Sequence, residues 1–407
     1  MIINVSIFRR NRNFTFLYAG QLISFLGTMI TGVTLPYQIY METHSTFMVG
    51  LLSLAQLLPL LVTALIGGVF ADRYHRRTLL VSAETILVIG SLMLAWNASL
   101  AVSHLWVIFL LASLMSAFNG LHRPALESMV QQIVTKEDYV QVGPLTSLKG
   151  NVCMIGGPAL GGLIIAYFGM VTTYLVDAAS FVISLTTLFL MTHIPKPNAK
   201  SDDSTWSALK QGFNYACSRQ ELLGTYFVDF IAMIFGMPMA LFPAIAMSFG
   251  GAKVLGTLYS MPAVGALIVS FFSGWVGRVK YHGRAVAIAA MLWGVAIVLF
   301  GLSSNFIVAL FFLALAGAFD GISGIFRSIM WNETIPNQFR GRLAGIEMIS
   351  YLSGPKLGDT EAGLVAAGFG VTTSIVSGGV LCVIGVAICC YYLPKFWHYR
   401  SADLSQM

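Results

Sequence analysis

Apolar stretches long enough to cross a lipid bilayer follow one another along the whole chain. A membrane-spanning helix needs about 20 mainly apolar residues, and twelve stretches reach that length. Only 10% of the 407 residues are charged, whereas a soluble domain carries about 25%, so most of the surface must face lipid. We therefore predict an all-α membrane protein with twelve transmembrane helices. The predicted spans are 14–40, 47–71, 78–97, 104–129, 145–168, 172–191, 222–247, 254–277, 285–303, 306–330, 342–368 and 372–393.

Lysine and arginine residues are concentrated in one set of the loops between the predicted spans. If the N-terminus lies inside the cell, the inner segments contain most of them, including Arg9, Arg10 and Arg12, and the outer loops contain only Lys253. Positive residues are retained on the cytoplasmic side, so we predict that both termini are cytoplasmic. The net charge of +6 is spread over the ends of apolar runs and is not gathered in one patch, so nucleic-acid binding is not expected.

Three short patterns in the first half of the chain return in the same order in the second half. At a nearly constant offset, 67–77 matches 274–284, 117–120 matches 318–321, and 157–161 matches 354–358. The longest polar interval lies between these halves and ends in apolar residues at helical spacing, which predicts a cytoplasmic linker with an amphipathic surface helix. The predicted domains are a six-helix half at 1–192, the linker at 193–220 and a second six-helix half at 221–407. Repeated halves are typical of transporters that bind their substrate at the interface of the two repeats.

A dense group of charges and glycine separates the second and third spans and contains Gly68, Asp72, Arg73, Arg76 and Arg77. This pattern resembles the loop motif of the major facilitator superfamily, except that His75 stands where the family usually has glycine. The resemblance implies a gating latch in which Asp72 and Arg76 join Glu127 at the inner end of span four. The alternative is that these solvated charges only set the membrane topology.

The fifth predicted span carries a glycine and proline pattern, consisting of Gly150, Gly157, Pro158, Gly161 and Gly162. It resembles a motif of the export branch of the same superfamily. Small residues let helix backbones approach closely, and proline bends a helix by removing a hydrogen bond. We expect a tight contact with the matching Gly354, Pro355 and Gly358 of span eleven. Ordinary helix packing would also explain the pattern.

Two further stretches, 174–181 and 340–342, resemble the bacterial subfamily that contains siderophore exporters. The resemblance covers essentially the whole chain. It implies a secondary transporter of the bacterial inner membrane that exports an organic solute, such as a siderophore, in exchange for protons. The expected partners are a small-molecule substrate, protons and the lipid bilayer, with the protein acting as a monomer. The alternatives are a solute uptake carrier, a broad-specificity drug efflux pump and, in a different class, a non-transporting membrane sensor.

Signatures of other chemistry are missing from the sequence. It contains no phosphate-binding GxxxxGK[ST] motif and no metal-type pair among its five cysteines. No catalytic triad is apparent either. We therefore expect no cofactor, no metal and no enzymatic activity.

Charged residues inside the predicted spans are informative because each costs at least about 2.5 kcal/mol at the bilayer centre. In this superfamily spans three, six, nine and twelve lie outside the cavity, which leaves Glu84 and Asp177 for packing or interhelical bonding. The candidates for substrate and proton binding are then Asp229, Lys356, Asp359 and Glu361. A carboxylate in an apolar environment favours its protonated form, so Asp229 is expected to carry the proton. Lys356 is expected to attract an anionic solute.

Two other interpretations of the charges stay open. Lys356 and Asp359 are three residues apart and can lie on one helix face, where they would neutralise each other. Two further pairs near the inner ends are expected to be structural, Arg123 with Glu127 and Asp320 with Arg327.

Polar and aromatic residues within the first, second and seventh spans suit a bulky, partly polar ligand. The candidates for lining the cavity are Tyr18, Gln21, Tyr37, Gln38, Gln56, Tyr226 and Phe230. Packing inside the protein is the alternative role for each of them.

Overall fold

The computed structural model describes residues 5–135, 138–192 and 205–401, and within them it contains helices and no β-strand. The all-α prediction is therefore confirmed. The fifteen α-helices of the described residues are α1 (Ile7–Arg10), α2 (Arg12–Thr43), α3 (Thr46–Arg73), α4 (Arg76–Ser99), α5 (Leu105–Ile133), α6 (Tyr139–Leu190), α7 (Thr205–Ser218), α8 (Gln220–Phe235), α9 (Phe242–Phe249), α10 (Ala252–Phe271), α11 (His282–Leu302), α12 (Phe306–Thr334), α13 (Asn337–Phe369), α14 (Val371–Tyr392) and α15 (Pro394–Trp397).

Among the described residues, ten segments are long and apolar enough to cross a membrane. One of them, α6, has 52 residues and is broken at Gly169, whose φ of 80° and ψ of 173° suit glycine. It therefore contains the fifth and sixth predicted spans. The predicted eleventh span corresponds to α13, which is not among the ten and carries Lys356, Asp359 and Glu361. With α6 counted twice and α13 added, the helices correspond to the twelve predicted spans.

The first compact unit of the structure contains the described parts of Met1–His44, Leu54–Ser201 and Ala246–Ser260. Its core is built by α2 packing on α6 and by α4 packing on α5 and α6. Buried apolar side chains such as Leu17, Leu80 and Met129 fill the space between these helices. Small residues allow the close approach, since a Cβ at Gly27 would lie 2.7 Å from a carboxylate oxygen of Asp177.

The second compact unit contains the described parts of Ser45–Ser53, Asp202–Ile245 and Met261–Met407. Within it α11 packs on α12 and α14, and α8 packs on α13 and α14. The first turns of α3 belong to this unit because they pack on α13, where a Cβ at Gly363 would lie 2.9 Å from the Cα of Gly50. These two units, defined by contacts, differ from the two halves predicted along the sequence, 1–192 and 221–407. The predicted halves stay a prediction.

The predicted linker helix corresponds to α7, while residues 193–204 lie outside the described part of the chain. At its end, the Tyr215 hydroxyl donates to the Thr334 carbonyl at 3.0 Å. The Tyr215 ring also stacks on Phe339, with the ring centroids 4.6 Å apart. These contacts hold the end of α7 against α12 and α13.

The predicted seventh span is interrupted in the middle. Helix α8 ends at Phe235, and a 3-10 turn at Met239–Leu241 precedes α9. Pro238 has no backbone N–H, and the freed groups on either side of it find partners in other helices. The Trp293 indole N–H donates to the Gly236 carbonyl at 2.9 Å, and the Ala240 N–H donates to Asp359 Oδ1 at 2.8 Å. A uniform hydropathy profile gave no sign of this break.

Candidate functional site

Arg327 lies at the centre of a cluster of charges in the second unit. Its side chain is 11% exposed and forms an ion pair with Asp229 of α8, which is 16% exposed. Its Nη2 atom also lies 3.6 Å from Asp320, two turns earlier on α12. The sequence predicted that Asp320 and Arg327 share a helix face, but it assigned them a structural role and did not identify Arg327 as the partner of Asp229.

Aromatic side chains lie beside this ion pair. The ring of Tyr226 on α8 stacks on Trp331 of α12 with the centroids 5.6 Å apart. The Trp331 indole N–H donates to the Thr225 hydroxyl at 2.8 Å, which fixes the indole between the two helices. A third acid, Glu347 of α13, is close enough for its charge to act on both Arg327 and Tyr226. We refer to Asp229, Asp320, Arg327, Tyr226 and Trp331 as the α8–α12 site.

The electrostatics of the α8–α12 site favour binding of a proton or an anion. Burial of one arginine is tolerable because acids neutralise it, and three carboxyl groups act on this one guanidinium. If one acid takes a proton, the guanidinium is less fully neutralised and can attract an anionic group. The stacked rings beside it offer an apolar face with polar edges. The arrangement is thus suited to binding a partly polar organic anion.

Asp359 has a role that the sequence did not indicate. Its Oδ1 accepts from the backbone of Ala240 and its Oδ2 accepts from the Ser53 hydroxyl at 2.9 Å. It therefore joins the interrupted seventh span to the first turns of α3. The Gly-Met-Pro sequence at 236–238 was the one signal that could have suggested such a break.

The other charges of α13 have less defined surroundings. The charge of Lys356 acts on Asp359, one turn away, which supports the interpretation that the two neutralise each other. Glu361 is only partly exposed. Phe230, on α8, lies beside Gly354 of α13.

Two amides predicted to line a cavity are buried in the first unit. Gln21 is 3% exposed and donates to Glu84 Oε1 at 2.7 Å. Gln38 is also buried, donating to Glu42 at 2.7 Å and accepting from the Tyr174 hydroxyl at 2.6 Å. Interhelical hydrogen bonds occupy both side chains, so neither amide is open to solvent and the packing alternative describes them better.

The remaining cavity candidates of the first unit are two half-buried residues and one buried residue. Tyr37 is buried, whereas Tyr18 is half-buried and its hydroxyl donates to the Leu145 carbonyl at 2.9 Å. Gln56 is half-buried, and its backbone carbonyl accepts from Ser116 at 2.9 Å. Tyr18 and Gln56 therefore stay candidates for contact with a ligand.

The loop motif is only partly described. Gly68, Asp72 and Arg73 lie in the last turns of α3, and the structure does not describe their surroundings. Arg77 donates to the Phe189 carbonyl at 2.9 Å, and Arg76 begins α4. Glu127 is 65% exposed and pairs with Arg123 at 3.3 Å, as the sequence predicted for that pair. The latch formed by Asp72, Arg76 and Glu127 remains a prediction.

The glycines of the fifth-span motif differ in their surroundings. A Cβ at Gly157 would clash with Met29, and one at Gly161 would lie 3.3 Å from the Cα of Ile30, so both face α2. A Cβ at Gly162 would lie 2.6 Å from the backbone nitrogen of Gly256 on α10, whereas one at Gly150 would meet open space. The motif thus packs on α2 and α10.

The matching residues of α13 pack on α8. A Cβ at Gly354 would lie 2.9 Å from the Cβ of Met233, and one at Gly358 would lie 3.0 Å from the carbonyl oxygen of Ile234. Pro355 is inside α13, as Pro158 is inside α6. In the described contacts the fifth-span motif thus packs on α2 and α10 and its counterpart packs on α8. The expected contact between the two motifs stays a prediction.

Known proteins are similar to this chain over nearly its whole length. The family model described as transmembrane secretion effector matches residues 6–405. The enterobactin exporter EntS of Shigella dysenteriae is 30% identical over 408 aligned residues, covering 98% of this chain and 96% of the relative. The protein of the same name from Salmonella typhimurium is 28% identical, covering 95% of this chain and 94% of its own length.

Solved structures share the architecture at lower sequence identity. A bacterial homologue of the human lysosomal transporter Spinster has a TM-score of 0.76 at 13% identity, with 96% of this chain and 98% of that chain covered. The nucleoside transporter NupG has a TM-score of 0.73 at 14% identity, with 95% and 99% covered. At these identities the likeness concerns the fold.

Proposed function

The chain belongs to the transmembrane secretion effector family of the major facilitator superfamily, and from this premise we propose that it exports a siderophore-like organic solute in exchange for protons. A small-molecule transporter of the inner membrane with many spans is what this family implies. Export is supported most directly by the 30% identity to the enterobactin exporter EntS, which extends over 98% of the chain. Proton exchange is supported by the acids that face the mostly buried Arg327.

The proposed transport cycle uses two six-helix halves, 1–192 and 221–407, joined by the linker 193–220. Alternating access of this kind exposes a central site to one side of the membrane and then to the other. The distribution of Lys and Arg supports an orientation with both termini in the cytoplasm. We propose that a monomer performs the cycle, and that the solute crosses unchanged, without a cofactor.

At the α8–α12 site, substrate and proton are proposed to compete through Asp229. With Asp229 ionised, its carboxylate is paired with Arg327 and can accept a hydrogen bond from an O–H group of the solute at the inner side. At the outer side a proton takes that carboxylate and displaces the solute. The empty carrier then returns and releases the proton at the inner side, so a proton enters for the solute that leaves. Lys356, Asp359 and Glu361 are further candidates for the same roles.

A secretion experiment tests direction and the role of Asp229 together. A deletion strain of a siderophore-producing host would carry the wild-type chain, the Asp229→Asn variant or, as the control, the Glu221→Gln variant in the first turn of the same helix. The siderophore would be measured in the medium and in the cells. We expect the wild type and Glu221→Gln to restore secretion, while Asp229→Asn, present in the membrane at the same level, retains the siderophore inside the cells.

Other results would contradict these proposals separately. Normal secretion from the deletion strain together with lost uptake of the ferric siderophore would identify an uptake carrier. Unchanged handling of the siderophore with increased sensitivity to unrelated drugs would identify a drug efflux pump. Full secretion by Asp229→Asn would remove Asp229 from the proton pathway and leave export standing.

A further inference from the structure

A carboxylate outside the α8–α12 site receives hydrogen bonds from three other helices. Glu84 of α4 is 0% exposed. Its Oε1 accepts from the Gln21 amide of α2 at 2.7 Å and from the Ser184 hydroxyl of α6 at 2.8 Å. The Nε2 atom of His122, on α5, lies 3.2 Å from the same oxygen. All four helices belong to the first unit, so this is a cluster within one packed body.

The second carboxylate oxygen of Glu84, Oε2, lacks the hydrogen bonds that Oε1 has. Glu84 Oε2 is buried and has no hydrogen-bond partner among the described residues. An ionised carboxylate with one oxygen deprived of polar contacts is costly, because a buried charge needs partners for its lone pairs. A proton on Oε1, from which the acid can donate to His122 Nε2, removes the charge and leaves Oε2 as a neutral carbonyl oxygen. The site can therefore accommodate Glu84 with or without a proton.

Glu84 differs from the second buried acid of this unit, Asp177, in its partners. Asp177 likewise has one oxygen, Oδ1, without a hydrogen-bond partner among the described residues. Its other oxygen accepts from Thr31 and Ser91, both at 2.7 Å, and no imidazole is bonded to it among the described contacts. Glu84 alone of these two acids is bonded to a group that can exchange a proton with it.

We infer that Glu84 and His122 form a proton-binding pair inside the first unit, a second protonation site of the carrier beside the α8–α12 site. The ligand is one proton. With that proton on the imidazole the pair consists of a carboxylate and an imidazolium, and with it on Glu84 both groups are neutral, so the net charge is zero in either arrangement. The inference rests on the proposed proton-coupled export.

The surroundings provide a path for the proton and a link to helix movement. His122 has a side chain that is 14% exposed, so its ring lies between the surface of the unit and Glu84, and its Nε2 can pass a proton to Oε1, the oxygen it contacts. The other described side chains bonded to Glu84 are Gln21 and Ser184, which do not titrate. Arg123, next to His122 in the sequence, pairs with Glu127 at the surface. A shift of α2 or α5 against α4 would withdraw a donor from Oε1 and favour the protonated acid, so proton binding and helix position are linked.

Infrared difference spectroscopy between acidic and alkaline buffer tests the site in the purified full chain without a substrate. The wild type is expected to show a carboxyl C=O band that disappears in Glu84→Gln. The band should persist in Glu127→Gln, the matched variant at an exposed acid. In His122→Gln the band should remain but appear over a different pH range, because one of the two groups that share the proton is gone.

The inference is overturned if Glu84→Gln has the same difference spectrum as the wild type. It is equally overturned if His122→Gln leaves the pH range of the band unchanged. Since His122→Gln keeps the acid, it provides an answer even where Glu84→Gln does not fold.

A transport measurement connects the pair to export. Inverted membrane vesicles would be supplied with iron-free enterobactin, either under a pH gradient or for exchange across the membrane with no gradient. We expect Glu84→Gln to exchange the probe like the wild type and to lose accumulation driven by the gradient. Full gradient-driven accumulation by Glu84→Gln would contradict a coupling role. If the wild type itself fails to move the probe, the proposed function fails, and the infrared result still decides whether the pair binds a proton.

Discussion

Arg327 of α12 forms an ion pair with Asp229 of α8. The Nη2 atom of Arg327 also lies 3.6 Å from Asp320, on its own helix. Neither Arg327 nor Asp229 is exposed enough to be solvated by water alone. Each of these two charges is tolerated because the other is present. This relationship predicts that loss of either partner alone destabilises the protein, and it makes the pair a candidate for transport.

Removal of one member of the pair is expected to destabilise the protein. The Arg327→Gln variant leaves Asp229 and Asp320 without their cation, which for a buried pair costs about 3–5 kcal/mol. The melting temperature of the purified protein in detergent should fall accordingly. In the Asp229→Asn/Arg327→Gln double variant only Asp320 is left without this cation, so part of the loss should be recovered.

The exposed pair of Arg123 and Glu127 serves as the control for that prediction. Arg123→Gln removes the same type of charge at the surface, where a pair contributes about 0–1 kcal/mol. A double variant as unstable as the sum of its two single variants would show that Asp229 and Arg327 do not stabilise each other.

The break in the seventh span predicts a strong effect at Asp359. The Asp359→Ala variant leaves the Ala240 N–H and the Ser53 hydroxyl without their acceptor, and each unsatisfied buried donor costs about 1–3 kcal/mol. We expect Ser53→Ala to cost less, because it removes a donor and leaves the backbone bond to Ala240 intact. Thermal unfolding of both variants, with Glu361→Gln on the same helix as the control, measures the difference. Equal melting temperatures for Asp359→Ala and Glu361→Gln would argue against the bridging role.

Two glycines of one sequence motif should respond oppositely to the same change. A Cβ at Gly162 would lie 2.6 Å from the backbone of Gly256, and overpacking of this kind typically costs about 1–3 kcal/mol. A Cβ at Gly150 meets nothing within 4 Å, so alanine there should be neutral or should stabilise the helix by up to about 1 kcal/mol. Thermal melts of Gly162→Ala and Gly150→Ala compare them directly, and a similar loss for both would mean that the close approach of α6 and α10 is not needed.

The single exposed cysteine of the described residues allows the orientation to be tested. Cys217 on α7 is exposed, whereas Cys153, Cys382 and Cys389 are buried and Cys390 is intermediate. With a cytoplasmic linker, a membrane-impermeant maleimide should label Cys217 in inverted vesicles and not in intact spheroplasts. The Cys217→Ser variant should lose the label.

A second position reports on the opposite side of the membrane. Lys253 is exposed and was the only basic residue assigned to the outer loops. In the Cys217→Ser background, Lys253→Cys should react with the same reagent in intact spheroplasts. Labelling of Cys217 from the outside would reverse the proposed topology.

The sequence predicted much of the fold and only part of the candidate site. Hydropathy located the helices, and the motifs identified the superfamily that the comparisons support. The interruption of the seventh span was missed because Gly236 and Pro238 lie in an apolar run whose hydropathy does not change. Gln21 and Gln38 were taken for ligand-facing residues because a sequence shows that a polar side chain is in a span, but not which helix it meets.

The chain by itself determined its membrane class, its family and the ends of most helices, because those properties depend on runs of neighbouring residues and on the cost of placing polar groups in lipid. Only the tertiary structure decided that Asp229 pairs with Arg327, that Asp359 caps an interrupted helix, and that Glu84 shares its oxygen with His122. These pairings depend on which helices pack together and on how far each is shifted along its axis relative to its neighbour. That choice is made by the fit of small and large side chains across helix contacts, between residues far apart in the chain.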